Sequence, residues 1–288
     1  MFYLINKEKN VSSFQEIKKF GRQNQIKTLG HTGTLDPFAT GLLLVATEDD
    51  TKLIQYIKNS NKTYEVTIKF GYQSNTFDSD GEIINTSKNK VTADMLSEIK
   101  IWFETQTQQQ PPIFSAKKIN GQRAYHLARN NQTEAQIALK PIKITVSNVK
   151  ILDFDEQAQE LTVSLEVSNG TYIRSLANDL GLFLQTFALA KELKRTKIAD
   201  FTLAQMQNEK FLAVPTPQLQ YPLYFLEEFE ITQLKNGLTI EAKHLENTQQ
   251  IYFFIADKTK PDVILGVVQQ CANQLKVKRL FGNRLTKY

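Results

Sequence analysis

The chain has 288 residues, 41% of them hydrophobic and 23% charged, so it can bury a core and is not a wholly disordered protein. It carries 35 Lys and Arg against 30 Asp and Glu, and this net charge of +5 fits either ordinary solubility or a polyanionic partner. Cys271 is the single cysteine, which excludes an internal disulfide, and no apolar run approaches the roughly 20 residues of a membrane-spanning helix. We expect a soluble, cytoplasmic protein without a signal peptide.

Hydrophobic periodicity predicts both strands and helices along the chain. Period-2 alternation or short apolar runs predict strands at residues 2–5, 42–47, 64–70, 142–154 and 161–167. Helical spacing of apolar residues predicts helices at residues 14–21, 49–58, 95–103, 122–130 and 172–180. A capping box of Ser13 and Glu16 should start the first helix, Thr92 should cap the third, and Gly181 should end the last one.

Several of these strands are separated by connections of hairpin length, which favours antiparallel pairing. We therefore predict an α+β fold, with a mixed and mostly antiparallel sheet flanked by helices and loops, rather than a doubly wound parallel sheet. Residues 213–224 hold three of the eight prolines, which predicts a linker. It would join a main domain at 1–212 to a small β-rich domain at 225–288.

Residues 30–44, GHTGTLDPFATGLLL, form the most unusual segment of the chain. Pro37 fixes its own φ and keeps the preceding Asp36 out of the helical region, so Asp36 should lie on a stiff, extended loop. Such a loop can hold a reacting carboxylate, although an Asp-Pro turn can also use the carboxylate to cap backbone amides. The three glycines match neither a Walker loop nor a dinucleotide fingerprint, so no nucleotide cofactor is predicted.

This segment resembles the catalytic motif of the TruB-type tRNA pseudouridine-55 synthases, and other segments resemble the same family in the same order. They are KTYE at 62–65, KFGYQSNTFDSDGE at 69–82, QPPIFSAKKINGQRAYHLAR at 110–129 and NGTYIRSLANDLG at 169–181. The resemblance covers about residues 4–200. It implies a pseudouridine-synthase fold and an isomerase, without cofactor or metal, that converts uridine 55 in the T loop of tRNA to pseudouridine. The C-terminal domain would then be a reduced PUA-like RNA-binding module.

The resemblance also implies roles for individual residues. Asp36 would be the catalytic carboxylate, Arg174 would keep it ionised, and Tyr64 would stack on the flipped uracil. Contacts with the substrate are implied for Lys7, His31, Thr34, Tyr172 and Leu193. Tyr64 and Leu193 could instead simply pack in the core. Arg174 has independent support, because a cation in the first turn of a helix opposes the helix dipole unless a carboxylate lies nearby.

The N-terminal segment departs from the family pattern. The family has a Lys-Pro-x-Gly run there, whereas Lys7 is followed by Glu8 and Asn10 in the places of the proline and the glycine. Because these substitutions change the loop around Lys7, they leave its role open.

Other functions and sites remain open on the sequence. His126 and His244 lack metal-ligand spacing with each other or with the cysteine, so no metal site is predicted. The alternative function is a non-catalytic tRNA-binding or RNA-folding module on the same scaffold. A glycoside hydrolase with paired carboxylates would need a second acid, for which Asp78 and Asp80 are the candidates. The expected partner is the T arm of tRNA, and the expected state is a monomer.

Overall fold

The computed structural model describes residues 1–58, 60–114, 118–119, 122–123, 140–242, 251–286 and 288. These residues form four α-helices. In chain order, α1 to α4 are Ser13–Gln23, Leu96–Glu104, Ile173–Phe183 and Glu228–Lys235. Strands β1 to β7 are Phe2–Lys7, Leu29–His31, Thr40–Thr47, Lys62–Phe70, Tyr72–Ser74, Ile83–Thr86 and Gln108–Gln109. Strands β8 to β14 are Lys118–Ile119, Gln122–Arg123, Ile142–Lys143, Val146–Asp155, Glu160–Val167, Ala188–Ile198 and Phe201–Thr202. Strands β15 to β20 are Phe211–Val214, Leu223–Leu226, Ile240–Glu241, Tyr252–Asp257, Lys260–Cys271 and Gln274–Leu280.

The main sheet has nine strands in the part of the chain that the structure describes. Its central order is β11-β12-β4-β13-β3-β1-β15, with β14 paired to β13 and β2 paired to β3. Every neighbouring pair is antiparallel except β13 and β3, which run parallel where Lys194 faces Thr40. The predicted fold class, α+β with a mixed and mostly antiparallel sheet, is confirmed. In the described part of the chain, no helix is long and apolar enough to cross a membrane.

The main sheet packs different partners on its two faces. On one face, the alternating apolar residues of β4, β12 and β13 form a core with α2 and α3. On the other face, β1 and β3 pack against the C-terminal sheet. This second core includes Phe2, Leu4, Leu42, Leu44, Phe254, Ile264, Val267 and Phe281. Because β1 and β3 are covered on both faces, their sequences are nearly continuous apolar runs rather than alternating ones.

The C-terminal sheet has the strand order β16-β18-β19-β20-β17 and carries α4 on the face turned away from the main sheet. An ion pair also joins the 3₁₀ helix Glu48–Tyr56 to the 3₁₀ helix Gly282–Leu285 that follows β20, because Arg284 Nη2 lies 2.7 Å from Asp50 Oδ1. The segment predicted as a linker begins and ends in strands: β15 still belongs to the main sheet, and β16 already belongs to the C-terminal sheet. Residues 215–222 therefore connect the two sheets along the chain, and the two sheets share a core.

Three predicted helices differ from the structure in their start, their type or their capping. Helix α1 has Ser12 as its N-cap, and the capping box pairs Ser12 with Gln15, one residue before the predicted pair. Residues 49–58 were predicted as a helix, and Glu48–Tyr56 is a 3₁₀ helix. Thr92 occupies its predicted capping position but makes no side-chain hydrogen bond there.

The last predicted helix boundary is wrong for a physical reason. Gly181 lies inside α3, which continues to Phe183. A Cβ atom at Gly181 would lie only 2.4 Å from the backbone nitrogen of Ala188 in β13. The glycine therefore permits close packing of helix on strand instead of ending the helix. The helix predicted at 122–130 is also wrong at its start, because Gln122–Arg123 is a strand, and its remainder lies outside the described residues.

Candidate active site

Hydrogen bonds from the N-terminal region hold the loop that carries Asp36. The Ser13 hydroxyl accepts a hydrogen bond from Leu35 N at 2.8 Å and lies 2.9 Å from Leu35 O, to which it can donate. The Pro37 carbonyl accepts hydrogen bonds from Asn10 N at 2.8 Å and from Lys7 Nζ at 3.2 Å. Leu35 is buried, whereas the Asp36 side chain is 38% exposed. The loop is thus anchored on both sides of an accessible carboxylate, as the Asp-Pro sequence predicts.

Arg174 binds the Asp36 carboxylate with two of its nitrogens. Nε lies 2.9 Å from Asp36 Oδ2, and Nη2 lies 3.3 Å from Oδ1. Nη1 lies 3.3 Å from Asp78 Oδ2, and the remaining donors bond the carbonyls of Thr76 at 2.7 Å and Phe114 at 2.9 Å. A guanidinium with this many acceptors has one orientation, so it fixes the direction of the Asp36 carboxylate.

The Asp36 carboxylate lies at a cavity of about 340 Å³. Predicted site residues that line it are Thr34, Asp36, Tyr64, Tyr172, Arg174 and Leu193. Tyr64 and Leu193 lie on neighbouring strands β4 and β13, and both side chains are nearly buried. The volume is near the lower end of small-molecule sites, which run from about 300 to 1,000 Å³, and it suits one nucleobase.

The backbone at the start of α3 is positioned by a single amide side chain. Gln109 Nε2 donates to the Tyr172 carbonyl at 2.8 Å, and Gln109 Oε1 accepts from Tyr172 N at 2.8 Å. This double hydrogen bond fixes Tyr172, which precedes the first helical residue, Ile173. Arg174 follows in the first turn, and its carboxylate partners account for a cation at that end of the helix.

Two buried cations of the same cavity were missed by the sequence analysis. Lys62 and Arg195 line it, and they are 5% and 1% exposed. Arg195 Nε donates to the Leu42 carbonyl at 2.7 Å, Nη2 to the Gly33 carbonyl at 3.0 Å, and Nη1 to the Tyr64 hydroxyl at 3.4 Å. Strand alternation could have found both residues, because each lies two positions from a predicted site residue on the same face.

Burial shifts the pKa of several groups around the cavity. It raises the pKa of Asp78, against the opposing effects of its hydrogen bond from Thr76 and the charge of Arg174. Burial, together with the charge of Arg195, lowers the pKa of Lys62 to about 8. Such shifts mark groups that are held in a low-dielectric environment beside a cavity, as is common at functional sites.

Lys7 and His31 are not among the residues that line the cavity. Lys7 is 1% exposed, and its ammonium group donates to the carbonyls of Glu8, Val11 and Pro37 at 2.9, 2.7 and 3.2 Å. Burial lowers its pKa to about 8. The ring of His31 accepts a hydrogen bond from Gly33 N at 3.3 Å, and burial lowers the pKa of this imidazole. Their predicted contacts with RNA stay predictions.

Two other kinds of site were considered from the sequence, a metal site and a glycosidase site with paired carboxylates. In the parts of the chain that are described, no three His, Cys, Asp or Glu side chains lie close enough together to hold a metal ion. His126 and His244 lie outside these residues. Asp78, the candidate second acid, is buried against Arg174 rather than presented to the cavity beside Asp36.

Comparisons with known proteins identify the family of this chain. The TruB family pseudouridylate synthase N-terminal domain matches residues 21–173. The chain therefore belongs to the TruB family of pseudouridylate synthases. The tRNA pseudouridine synthase B of Mycoplasma mobile is 40% identical over 100% of this chain and 96% of its own length. The tRNA pseudouridine synthase B of Aquifex aeolicus is 32% identical over 96% of this chain and 98% of its own length.

The fold is also similar to that of solved structures with distant sequences. A crystal structure of a Cbf5-Nop10-Gar1 complex contains a chain with a TM-score of 0.63 and 18% identity, matched over 97% of this chain and 84% of that one. A structure of an H/ACA RNP bound to a substrate RNA containing 2′-deoxyuridine gives a TM-score of 0.62 at 16% identity, over 97% and 84% of the two chains. At these identities the likeness concerns the fold alone.

Proposed function

We propose that this protein isomerises uridine 55 in the T loop of tRNA to pseudouridine, with Asp36 as the catalytic carboxylate. The observation that carries the proposal is the accessible Asp36 carboxylate, which Arg174 binds with two nitrogens at the edge of a cavity beside the Tyr64 ring. Family membership and whole-length relatives named tRNA pseudouridine synthase B support it. The alternative of a non-catalytic RNA-binding module has no observation in its favour.

The reaction breaks one bond of the nucleoside and forms another at the same sugar carbon. The N1–C1′ bond of uridine is cleaved, the uracil turns, and a C5–C1′ bond forms. The C5 hydrogen leaves as a proton, and N1 takes up a proton, so no redox partner or outside group is needed. An ionised carboxylate beside C1′ stabilises the electron-poor sugar while the base is detached. Arg174 binds that carboxylate with two nitrogens and so fixes its direction.

The residues that line the cavity can bind the extruded uracil and hold it after the glycosidic bond breaks. A uridine inside a folded loop must leave its stack to reach Asp36, which costs a few kcal/mol. The Tyr64 ring offers a stacking surface, and Leu193 supplies an apolar wall. These contacts offset the lost stacking and keep the base in place while it turns. Thr34 and Tyr172, which also line the cavity, are the candidates for contacts with the sugar and the neighbouring backbone.

The predicted residues outside the cavity lining have different proposed roles. Lys7 would position the catalytic loop through the Pro37 carbonyl rather than bind RNA directly. His31 is only half buried, so its ring could still contact the distorted T loop. We expect the enzyme to act as a monomer in the cytoplasm, with residues 225–288 as a reduced PUA-like RNA-binding module.

The proposal is tested by release of tritium from a T-arm transcript that carries C5-labelled uridine at position 55 only. Wild-type protein should release the label, and Asp36→Asn should lower the rate by about a thousandfold or more while RNA binding is retained. Asp153→Asn, an exposed acid on edge strand β11, is the matched control. Absence of release from wild-type protein would favour the binding module. Undiminished release from Asp36→Asn would remove this carboxylate from the mechanism.

A further inference from the structure

We infer that Lys62 and Arg195 form an anion subsite in the cavity, which binds a phosphodiester group adjoining the extruded uridine. The inference rests on the proposed function, because it assigns a further part of the same substrate to the same cavity. It concerns the binding of the RNA backbone, whereas the proposed function concerns the chemistry at C1′.

The first observation is that both cations are buried without an anionic partner. Neither side chain forms an ion pair with a carboxylate of any residue that the structure describes. Lys62 Nζ donates to Asn169 Oδ1 at 2.7 Å and to the Ser60 carbonyl at 3.2 Å, and Arg195 bonds two carbonyls and a phenol. Buried charges are ordinarily paired, because an uncompensated charge in a low-dielectric site is costly. Two such charges together call for an anion.

The second observation is that the two cations lie close to each other at one end of the cavity. The charge of Arg195 depresses the pKa of Lys62, so the two groups interact. Both side chains approach Gly33: a Cβ atom built there would be 3.2 Å from Lys62 Cε, 3.7 Å from Lys62 Nζ and 3.8 Å from Arg195 Nη1. Like charges repel, and a bound anion between them would relieve that repulsion.

The third observation is that both cations retain donors. An ammonium group has three N–H bonds and a guanidinium has five. Within the described residues, Lys62 uses two of its donors and Arg195 uses three. Because both residues line the cavity, the remaining donors can reach a ligand that enters it.

The position of the subsite favours a phosphodiester over the base itself. Gly33 and Asp36 are three residues apart on the same loop, so they are separated by at most about 10 Å. That distance is within the size of one nucleotide. With C1′ at Asp36, a phosphate next to the extruded sugar can reach the cations. Uracil is neutral in the bound substrate and would leave the two charges uncompensated, whereas a phosphodiester is charged at every pH at which tRNA is folded.

The test removes charge from the RNA rather than from the protein. A T-arm stem-loop is made with a neutral methylphosphonate in place of the phosphate on either the 5′ or the 3′ side of the target uridine. Binding is measured with wild-type protein by titration at fixed salt. One of the two replacements should weaken binding about ten- to a hundredfold, as expected for loss of charge-assisted hydrogen bonds. The control RNA carries the methylphosphonate in the stem.

A second arm assigns the phosphate to these side chains. Lys62→Met should weaken binding of the unmodified RNA to a similar extent and lower the slope of affinity against salt by about 0.7. In this variant the sensitive methylphosphonate should cause no further loss. Lys194→Met is the matched control, because Lys194 lies on the same strand as Arg195 but is exposed on the opposite face. It should retain the full methylphosphonate effect.

Several results would overturn the subsite. One is that neither flanking methylphosphonate weakens binding to wild-type protein more than the stem control does, a result that needs no variant to fold. Another is that the losses from Lys62→Met and from the methylphosphonate simply add. A third is that Lys62→Met and Arg195→Lys bind RNA normally and lose only turnover, which would assign the cations to the base.

Binding and turnover are measured separately, so the two proposals can fail separately. Coupling between Lys62 and a flanking phosphate without tritium release would leave the subsite standing and reject the isomerase. Tritium release without that coupling would reject the subsite and leave the isomerase standing.

Discussion

The two ends of the cavity hold their buried arginines in opposite ways. Arg174 is 4% exposed and contacts two carboxylates, Asp36 and Asp78, as well as two carbonyls. Arg195 is 1% exposed and contacts two carbonyls and a phenol, with Lys62 as a second positive charge beside it. At the Asp36 end the protein therefore supplies the counter-charges of the arginine, whereas the Lys62 end carries excess positive charge.

This difference separates two tasks of the same site. The end at Asp36 is complete before any substrate arrives, which is what catalysis by preorganised charge requires. The end at Lys62 is electrostatically incomplete, so it gains most when an anion enters. A substrate that supplies that anion is bound by charge at one end and meets a fixed carboxylate at the other. The following substitutions test that division, from the largest expected effect to the smallest.

Arg174→Met should have the largest effect on both activity and stability. It leaves the Asp36 and Asp78 carboxylates without their cation, and breaking a buried ion pair in this way costs about 3–5 kcal/mol. Tritium release should fall by about a thousandfold or more, because the Asp36 carboxylate loses its direction. Denaturant unfolding and single-turnover rates measure the two effects. Arg174→Lys keeps the charge without the two-nitrogen contact, and equal activity in that variant would contradict the orienting role.

Asp78→Asn should lower turnover by about tenfold, clearly less than the loss in Arg174→Met. It removes one anchor of the guanidinium, worth about 1.5 kcal/mol for a charged hydrogen bond, but leaves the contact with Asp36 in place. Asp80→Asn, an exposed neighbour on the same loop, is the control. Because burial raises the Asp78 pKa, acid should reduce wild-type turnover at a higher pH than an exposed aspartate would allow, and Asp78→Asn should lose that component.

Arg195→Met should weaken RNA binding by about tenfold and destabilise the protein by about 2 kcal/mol or less. It leaves the carbonyls of Gly33 and Leu42 without a donor, which costs about 1–3 kcal/mol each, but it also removes an unpaired buried charge. The comparison is made with Arg174→Met under the same denaturant conditions. An equal or larger loss of stability in Arg195→Met would show that the two ends of the cavity do not differ as described.

Lys62→Met should stabilise the free protein at pH 7 by about 1–2 kcal/mol while it weakens RNA binding. Lowering the Lys62 pKa from 10.5 to about 8 corresponds to a net cost of about 3 kcal/mol for the buried charge, and the variant regains less than this because it leaves two acceptors without their donor. Below pH 8 folded and unfolded chains both hold this proton, and the cost is complete. Between pH 8 and 10.5 only the unfolded chain keeps it, so the advantage of the variant should shrink.

The measurement is the unfolding free energy of wild type and Lys62→Met at several pH values from 7 to about 10. Other groups, including Lys7, titrate in both proteins and cancel in the difference. A difference that stays constant or grows with pH would contradict a buried, charged Lys62 in the free protein.

Much of the fold followed from local patterns, whereas contacts between distant segments did not. Alternation in β4 and β12 and the apolar run of β3 predicted those strands, because the side-chain period of a strand is a local property. The position of Gly181 depends on Ala188, and the start of α1 depends on which serine reaches Gln15. Such details depend on contacts between residues, and a local hydrophobic pattern does not specify those contacts.

The site was predictable where a motif carries the chemistry. The Asp-Pro loop and the helix-start arginine each had a local physical reason to be singled out, and the resemblance joined them. Arg195 was not singled out from the sequence, although alternation places it on the same face as Leu193 and away from Lys194. Lys7 was predicted to contact the substrate, but its three carbonyl partners became visible only in three dimensions.

The core shared by the two sheets has a practical consequence for the chain as a whole. Phe2, Leu4, Leu42 and Leu44 are covered by the C-terminal sheet, so cutting the chain in the proline-containing segment would leave them facing water. An exposed apolar surface of this kind promotes aggregation. A fragment that ends near residue 212 should therefore accumulate as insoluble material when it is expressed, even though it contains every residue of the cavity. The C-terminal sheet therefore covers part of the hydrophobic interior of the main sheet.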